Sequence, residues 1–563
     1  MMVMVFNIMR GFKNKYALNI FVILVGIIMF SACEKDEEVF DRTRLFRPVL
    51  NEDLYSEGNV IIVNLGNMRS AEYYTIEVSR DTFATIDFTI ETDTNYVEIN
   101  EDLIGEELYW NTLYQIRATA HADDPEFDSK ISDLGNVRTQ RFPSILNVPS
   151  RFDVIDTAAR VTWTAAGAPV TGIQVFAAED LSLNTPLFAE RPVNQQERDS
   201  TEAIVSGLDP ETEYQIALYS DDELRGWVNY TTLPMDINSN DANVIDIRGA
   251  TDSLAVSNAV ASAPDGGVVL ISRGSVYKFP EQNLNKSITI RASYGFGEKQ
   301  AMLYTTGNWD IDDNSNIDHV RFIDLEIRGE DYTGDYVFNP NRSNVNVGEV
   351  LFEKCHISNF RGIMRIRTTV QIEEFTISNS IVDTIGGYGI FTTDTDPSSA
   401  TPTASVQEIN LLNSSFNYID TGIQSRNNSQ SITIDGCSFA NFIVTGGRFF
   451  RYRGGDGNDN VTNGITISNS IFGHSWDTSD SDNYGIQGIG QGLGNTNFNI
   501  VNNYSTANFF FSGGEIPGFP IANYNGTQDD LWMNVATQNN FSFQDRGFSG
   551  RFDTGDPRWR IEL

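Results

Sequence analysis

The chain is poor in the residues that build disulfides and hold transition metals: 3 Cys and 4 His among 563 residues. A disulfide-stapled scaffold and a histidine-rich metal centre are excluded at the outset. Basic residues are also scarce, with 39 Lys plus Arg against 76 Asp plus Glu, a formal net charge of −37. Binding nucleic acid or an anionic membrane through the overall field needs the opposite balance, so no nucleic-acid partner is expected and only a local basic patch is allowed. The N-terminal apolar run, Leu18 to Phe30, has 13 residues, short of the roughly 20 that span a bilayer. What is present is apolar material for packed cores, 40% hydrophobic and 11% aromatic, which excludes general disorder. Single cores stop growing at roughly 250 to 300 residues, so several domains are expected.

Arg10, Lys13 and Lys15 precede the apolar run, and Phe30-Ser31-Ala32-Cys33 closes it. A basic start, a short apolar stretch and small residues before the cysteine make residues 1–32 a signal peptide. The segment resembles the signal of bacterial lipoproteins, with Phe30 where the family usually carries Leu. The resemblance implies that Cys33 is lipidated and becomes the mature N-terminus. The next residues, Glu34-Lys35-Asp36-Glu37-Glu38, resemble the acidic export stretch that sends lipoproteins of Bacteroidota to the outer face of the outer membrane. Residues 33–44 then form a charged tether, and the mature chain carries 36 basic and 76 acidic residues, a net charge of −40.

From 45 to 141 the pattern is short alternating apolar runs: Val60 to Leu65, Tyr73 to Val78, Phe88 to Glu91, Leu113 to Ala118 and Val137 to Thr139. Such spacing predicts a β-sandwich. A second unit of similar size, 142–234, contains Trp163 in an early strand and Leu208-Asp209-Pro210-Glu211-Thr212-Glu213-Tyr214. It resembles a fibronectin type III domain, in which Tyr214 would make the tyrosine corner; Tyr114 holds the like position in the first unit. Sandwiches of this kind are mostly spacers. Trp227 is the candidate there for sugar stacking, set against packing on a neighbouring domain.

After Pro234 the texture shifts toward Asn, Gly, Ser and Ile. Leu254 to Val260 has helical apolar spacing, Pro264-Asp265-Gly266-Gly267 makes a turn, and strands follow. This opening resembles the entry into a pectate-lyase-like right-handed parallel β-helix, placed at 235–563. The repeat supports it independently. Corners read Lys354-Cys355-His356-Ile357, Asn379-Ser380-Ile381-Val382, Asn413-Ser414-Ser415-Phe416, Gly436-Cys437-Ser438-Phe439 and Asn469-Ser470-Ile471-Phe472, with steps of 25, 34, 23 and 33 residues at the fourth position. A period in this range means stacked coils, the longer steps carrying inserted loops that include Asp394 to Ala404 and Gly454 to Asn463. Cys355 and Cys437 share one corner position three coils apart, about 14 Å, too far for a disulfide. They are expected to be buried, unbridged residues. The fold class is thus all-β, two fibronectin type III-like sandwiches followed by the β-helix.

The strands after the corners read Ile363 to Arg367, Ile390 to Asp394, Ile423 to Asn427 and Phe449 to Arg453. Period-two alternation turns Met364, Ile366, Phe450 and Tyr452 inward and predicts two outward columns: Arg365, Thr392, Ser425 and Arg451, then Arg367, Asp394, Asn427 and Arg453. The arginine fork matches a carboxylate, so this face suits a polymer of uronic acids. The competing reading is a solvated ladder in which the arginines pair with Asp394, Asp456 or Asp459.

Catalysis by β-elimination needs a base and a partner for the uronate carboxylate. Pectate lyases of the resembling architecture use Ca2+ on several acidic residues. Here the columns offer Asp394 with Asp396 nearby and no lysine, leaving Arg365 or Arg451 as a possible base. Glycoside hydrolysis wants two facing carboxylates, and only that loop pair is seen. Gly454 to Asp459 matches one copy of a calcium nonapeptide, which cannot stack to complete an ion's ligands, so Asp456 and Asp459 remain weak metal candidates beside Asp394 and Asp396. His319, His356 and His474 are not clustered. Trp309, Trp476 and Trp532 are weighed as sugar platforms or core, and Trp559 is expected to cap the last coil.

The order of signal, acidic stretch, two sandwiches and β-helix resembles the surface glycan-binding lipoproteins of polysaccharide-utilisation systems of Bacteroidota. That implies a non-catalytic, lipid-anchored binder of a pectin- or alginate-like polysaccharide. Its partners would be an outer-membrane transporter and that transporter's companion lipoprotein, with no cofactor unless Ca2+ bridges to the ligand. A polysaccharide lyase on the same fold and a structural or adhesive surface protein are the alternatives.

Overall fold

The computed structural model describes residues 43–394, 404–453, 459–476, 485–520 and 522–561. The signal peptide, Cys33 and most of the tether lie outside the described residues. The chain divides into two compact units, one up to Ser144 and one from Ile145 onward.

The first unit is a sandwich. One sheet holds Tyr55–Glu57, Val60–Asn64 and Tyr96–Ile99; the other holds Phe88–Thr92, Tyr73–Ser79, Leu113–His121 and Ser132–Arg138 in that order. Alternation explains the core: Ile61 and Val63 from one sheet meet Ile76, Val78, Ile116 and Ala118 from the other, all essentially inaccessible. Tyr114 accepts a hydrogen bond from the Tyr109 backbone N–H at 2.9 Å. Tyr214 does the same with Asp209, also at 2.9 Å. Each is a tyrosine corner that ties a loop to the strand after it. The second sandwich pairs Ala158–Thr162 with Glu202–Ser206, and sets Gly172–Ala177, Glu213–Ser220 and Glu223–Thr231 opposite, with Trp163 buried between. It belongs to the same compact unit as the domain that follows; Asp156 Oδ2 of the sandwich accepts from Asp236 N–H at 3.0 Å, and Asp236 pairs with Arg291 at 2.5 Å.

Among the described residues that domain is a parallel β-helix of 24 strands. The helix Ala255–Ser262 closes its entry, burying Val256, Ala259 and Val260. Strands then stack rung on rung, as in Ile409, Ile432 and Ile465 on one face and Phe416, Phe439 and Phe472 on another. Stacked rings fill the lumen: Phe416 on Phe439 at 4.9 Å and Phe439 on Phe472 at 4.6 Å. Trp309 lies in the same core, stacked on Phe338 at 5.3 Å and 1% exposed, so it is core and not a sugar platform. Trp532, also 1% exposed, is likewise core.

The corner motif has two physical causes. Its first residue is left-handed on coil after coil: Lys354, Asn379, Asn413, Gly436, Asn469 and Asn502 have φ between 48° and 62°. Asn and Gly tolerate that region best, which is why they recur. The second residue ties the coils together. Ser380 Oγ accepts from Cys355 N at 2.9 Å, Ser414 Oγ from Ser380 N at 3.0 Å, and Ser470 Oγ from Cys437 N at 3.0 Å. Cys355 and Cys437 occupy this column, buried and unbridged, as the spacing predicts.

The C-terminal segment does not follow the sequence expectation. Trp559 does not cap the last coil: its Nε1–H donates to Ser415 Oγ at 2.8 Å, in the middle of the β-helix. Residues 527–561 fold back along the flank, where Asn417 reaches the Val535 carbonyl at 2.7 Å and Ser415 reaches Asp556 at 2.8 Å. The small corner serines leave a trough, and Leu531, Trp532, Phe541 and Phe543 cover it.

Candidate arginine groove

The register of the third face decides which side chains share a surface. Met364, Phe391, Ile423 and Phe450 stack as inward neighbours. One residue on, the outward column is Arg365, Thr392, Gln424 and Arg451. The column beyond it continues past Ser425 and Tyr452, which pair and face inward, to Arg426 and Arg453. The predicted columns are therefore corrected in one coil. Ser425 is 1% exposed and its hydroxyl meets Thr393 Oγ1 at 3.0 Å and the Asn427 carbonyl at 2.7 Å. Asn427 slips with it, and Gln424 and Arg426 take their places. The cause is that Ile423 stacks under Phe391 and not under Ile390; a one-residue slip exchanges the faces of a strand. Thr392 is in its predicted column but is 3% exposed, its hydroxyl spent on the Tyr388 carbonyl at 2.6 Å. It supports the groove and does not line it.

Arg365, Arg367, Arg451 and Arg453 do lie together on this face, with Asp394 among them. Arg365 Nε donates to Asp394 Oδ2 at 3.1 Å, and a second nitrogen reaches the same oxygen. Asp394 Oδ1 lies 3.5 Å from Arg426 Nε and 3.9 Å from Arg453. Burial would raise the Asp394 carboxyl, but these guanidinium groups outweigh it and hold it below the usual carboxylate range. Arg365 is opposed by burial and raised on balance by Asp394. Its plane also covers the Tyr388 ring at 4.4 Å, with Arg361 on the same ring at 4.7 Å. Arg367 is held by neutral acceptors, Asn339 Oδ1 at 3.0 Å and the Asn339 carbonyl at 3.2 Å.

Arg451 is different. It makes no side-chain hydrogen bond and no ion pair among the described residues, and its Nε, like that of Arg367, is shut off from solvent with no partner. Burial lowers its pKa, and the charges of Arg453, Arg448 and Arg426 lower it further. Arg453 is lowered in the same way, by burial and then by Arg426. Arg448 reaches this point from the start of the same strand. Its Cγ and Nε lie 2.8 Å from where a Cβ on Gly490 would stand, so the glycine of the next rung makes its room.

Of the weak metal candidates, Asp394 and Asp459 are among the described residues. Asp394 is ringed by guanidinium groups that repel a metal ion. Among the described residues no group of three His, Cys, Asp or Glu could hold one. Asp396 and Asp456 lie outside the described residues. Asp459 is half-buried, its carbonyl accepting from Leu493 N–H at 2.9 Å. Arg426, Arg448, Gln424 and Tyr388 were missed by sequence reasoning. Arg426 follows from counting outward from the inward Ile423, whereas nothing in the sequence announces that Gly490 leaves space for Arg448.

Residues 275–418, inside the β-helix, match a family described as "Domain of unknown function (DUF4957)". Among solved structures, the FN1–FN3 domains of chicken CNTN1 are similar at 13% identity, over 34% of this chain and 68% of that one, with a TM-score of 0.15. No curated protein matches the chain.

Proposed function

We propose that the chain is a lipid-anchored protein of the outer cell surface that holds an acidic, uronate-containing polysaccharide in the arginine groove without cleaving it. A transporter-coupled glycan-utilisation system is the setting this reading favours, with Cys33 as the anchor and the sandwiches as spacers. The observation that carries it is Arg451, a half-buried arginine with no side-chain hydrogen bond or ion pair among the described residues, on a face shared with Arg365, Arg367, Arg426 and Arg453 in a chain of net charge −37. An anionic ligand would supply the counter-charge that Arg451 lacks among the described residues. Affinity electrophoresis of the ectodomain through pectin-like, alginate-like and neutral glycans tests it: retention only by the acidic ones supports the reading, and equal migration in all gels defeats it.

A lyase is the second reading: burial and the neighbouring arginine charges lower the pKa of Arg451, the direction that the base of a β-elimination requires. Absorbance of an unsaturated uronate product on incubation with the same polymers would establish it in place of simple binding.

A further inference from the structure

We propose that the Arg448–Arg451 end of the groove is a sulfate-ester subsite, so that the acidic glycan held there is a sulfated one. The inference rests on the groove being a site for acidic glycan and names the anion it takes.

The groove itself displays what one carboxylate can do. Asp394 offers two oxygens, one spent on Arg365 and the other shared between Arg426 and Arg453. That leaves Arg448 and Arg451, neither with a hydrogen bond or ion pair among the described residues. Arg451 stands in the outward column paired with Gln491, and the Arg448 side chain, from three residues earlier, lies over Gly490 next to that partner. The Arg448 charge lies near enough to act on Arg451, and Arg453 adds a third. A planar carboxylate on a sugar ring presents two oxygens to one or two forks. A sulfate ester presents three free oxygens around a tetrahedral centre, so donors can approach from several sides at once. Guanidinium is weakly hydrated and is the side chain of choice for such anions. Sulfate esters also stay fully charged at any pH the protein meets, so the crowded arginines keep their counter-charge.

The test is retention of the folded ectodomain in affinity gels at about 150 mM salt. Chondroitin 4-sulfate is compared with unsulfated chondroitin, which shares its uronate backbone, and dextran sulfate with dextran. Arg448→Ala and Arg451→Ala are run beside Arg248→Ala, which removes the same charge far from the groove, and thermal melting checks that each variant is folded. The expected result is that the sulfated member of each pair is retained about tenfold more strongly. Both groove variants should lose most of that gain and Arg248→Ala none. Equal retention of chondroitin and chondroitin sulfate would overturn the sulfate subsite while leaving the acidic-glycan reading standing. No retention of any acidic polymer would overturn both. A gain that all three variants reduce alike would be a response to overall charge and would also overturn it.

Discussion

Arg448 occupies the space that a side chain on Gly490 would need. The pair belongs to adjacent rungs, and the missing Cβ leaves room for the Arg448 side chain beside Gln491, the rung partner of Arg451. Gly490→Val should therefore act on the groove without touching a charge. The displaced group is a flexible side chain, so the melting temperature should stay within a few degrees of wild type, while affinity for the acidic ligand falls by about 1 kcal/mol. Affinity electrophoresis with a parallel thermal melt reads both.

Asp394 is the internal counter-charge of the groove. Its folded-state pKa is depressed, so its stabilising effect is present above the ordinary carboxylate pKa and is lost as pH falls below it. Asp394→Asn leaves Arg365, Arg426 and Arg453 facing one another. The expected loss at neutral pH is about 1–3 kcal/mol, smaller in high salt because the repulsion is screened. Urea unfolding at low and high salt checks it.

Asp420 works in the opposite sense. Burial pushes its carboxyl up from 3.8 to about 6, and Oδ1 has no hydrogen-bond partner among the described residues. The folded state holds this proton more tightly than the unfolded state. Its contribution is therefore full below about pH 4 and is lost as pH rises through 6. Asp420→Asn should raise stability at pH 7.5 by about 1–2 kcal/mol, discounted for partial solvent contact, and leave it unchanged at pH 4. Denaturant curves at the two pH values decide this.

Cys355 and Cys437 are fully enclosed, and burial pushes both thiols far up. A thiol-specific reagent should titrate neither in the native protein and both after unfolding. Mobility on a non-reducing gel should match that on a reducing one.

Much of the fold was legible because it rests on periodicities that the chain prints openly. The corner motif recurs since each coil needs one left-handed residue and one small residue that links to the next coil; Asn379-Ser380 and Asn469-Ser470 satisfy both needs in two letters. The tyrosine corners at Tyr114 and Tyr214 were legible for a similar reason, since a five-residue loop fixes the hydroxyl's partner. The site was less so. Strand alternation identified Arg365, Arg367, Arg451 and Arg453, but Ile423 could stack beneath either Ile390 or Phe391, and only the second choice exposes Arg426. The place of Trp559 depends on the trough along the β-helix flank, a feature of stacked coils that no local pattern encodes.

The central claim, that the arginine face binds an acidic glycan by direct contact, is tested most directly by the salt dependence of binding. An acidic oligosaccharide is titrated into wild-type ectodomain and Arg451→Ala at several ionic strengths. Exposed ion contacts weaken as salt rises. The account predicts affinity that falls steadily with salt, and a shallower slope with weaker binding for Arg451→Ala. Binding indifferent to salt, or identical in the two proteins across the series, would contradict it.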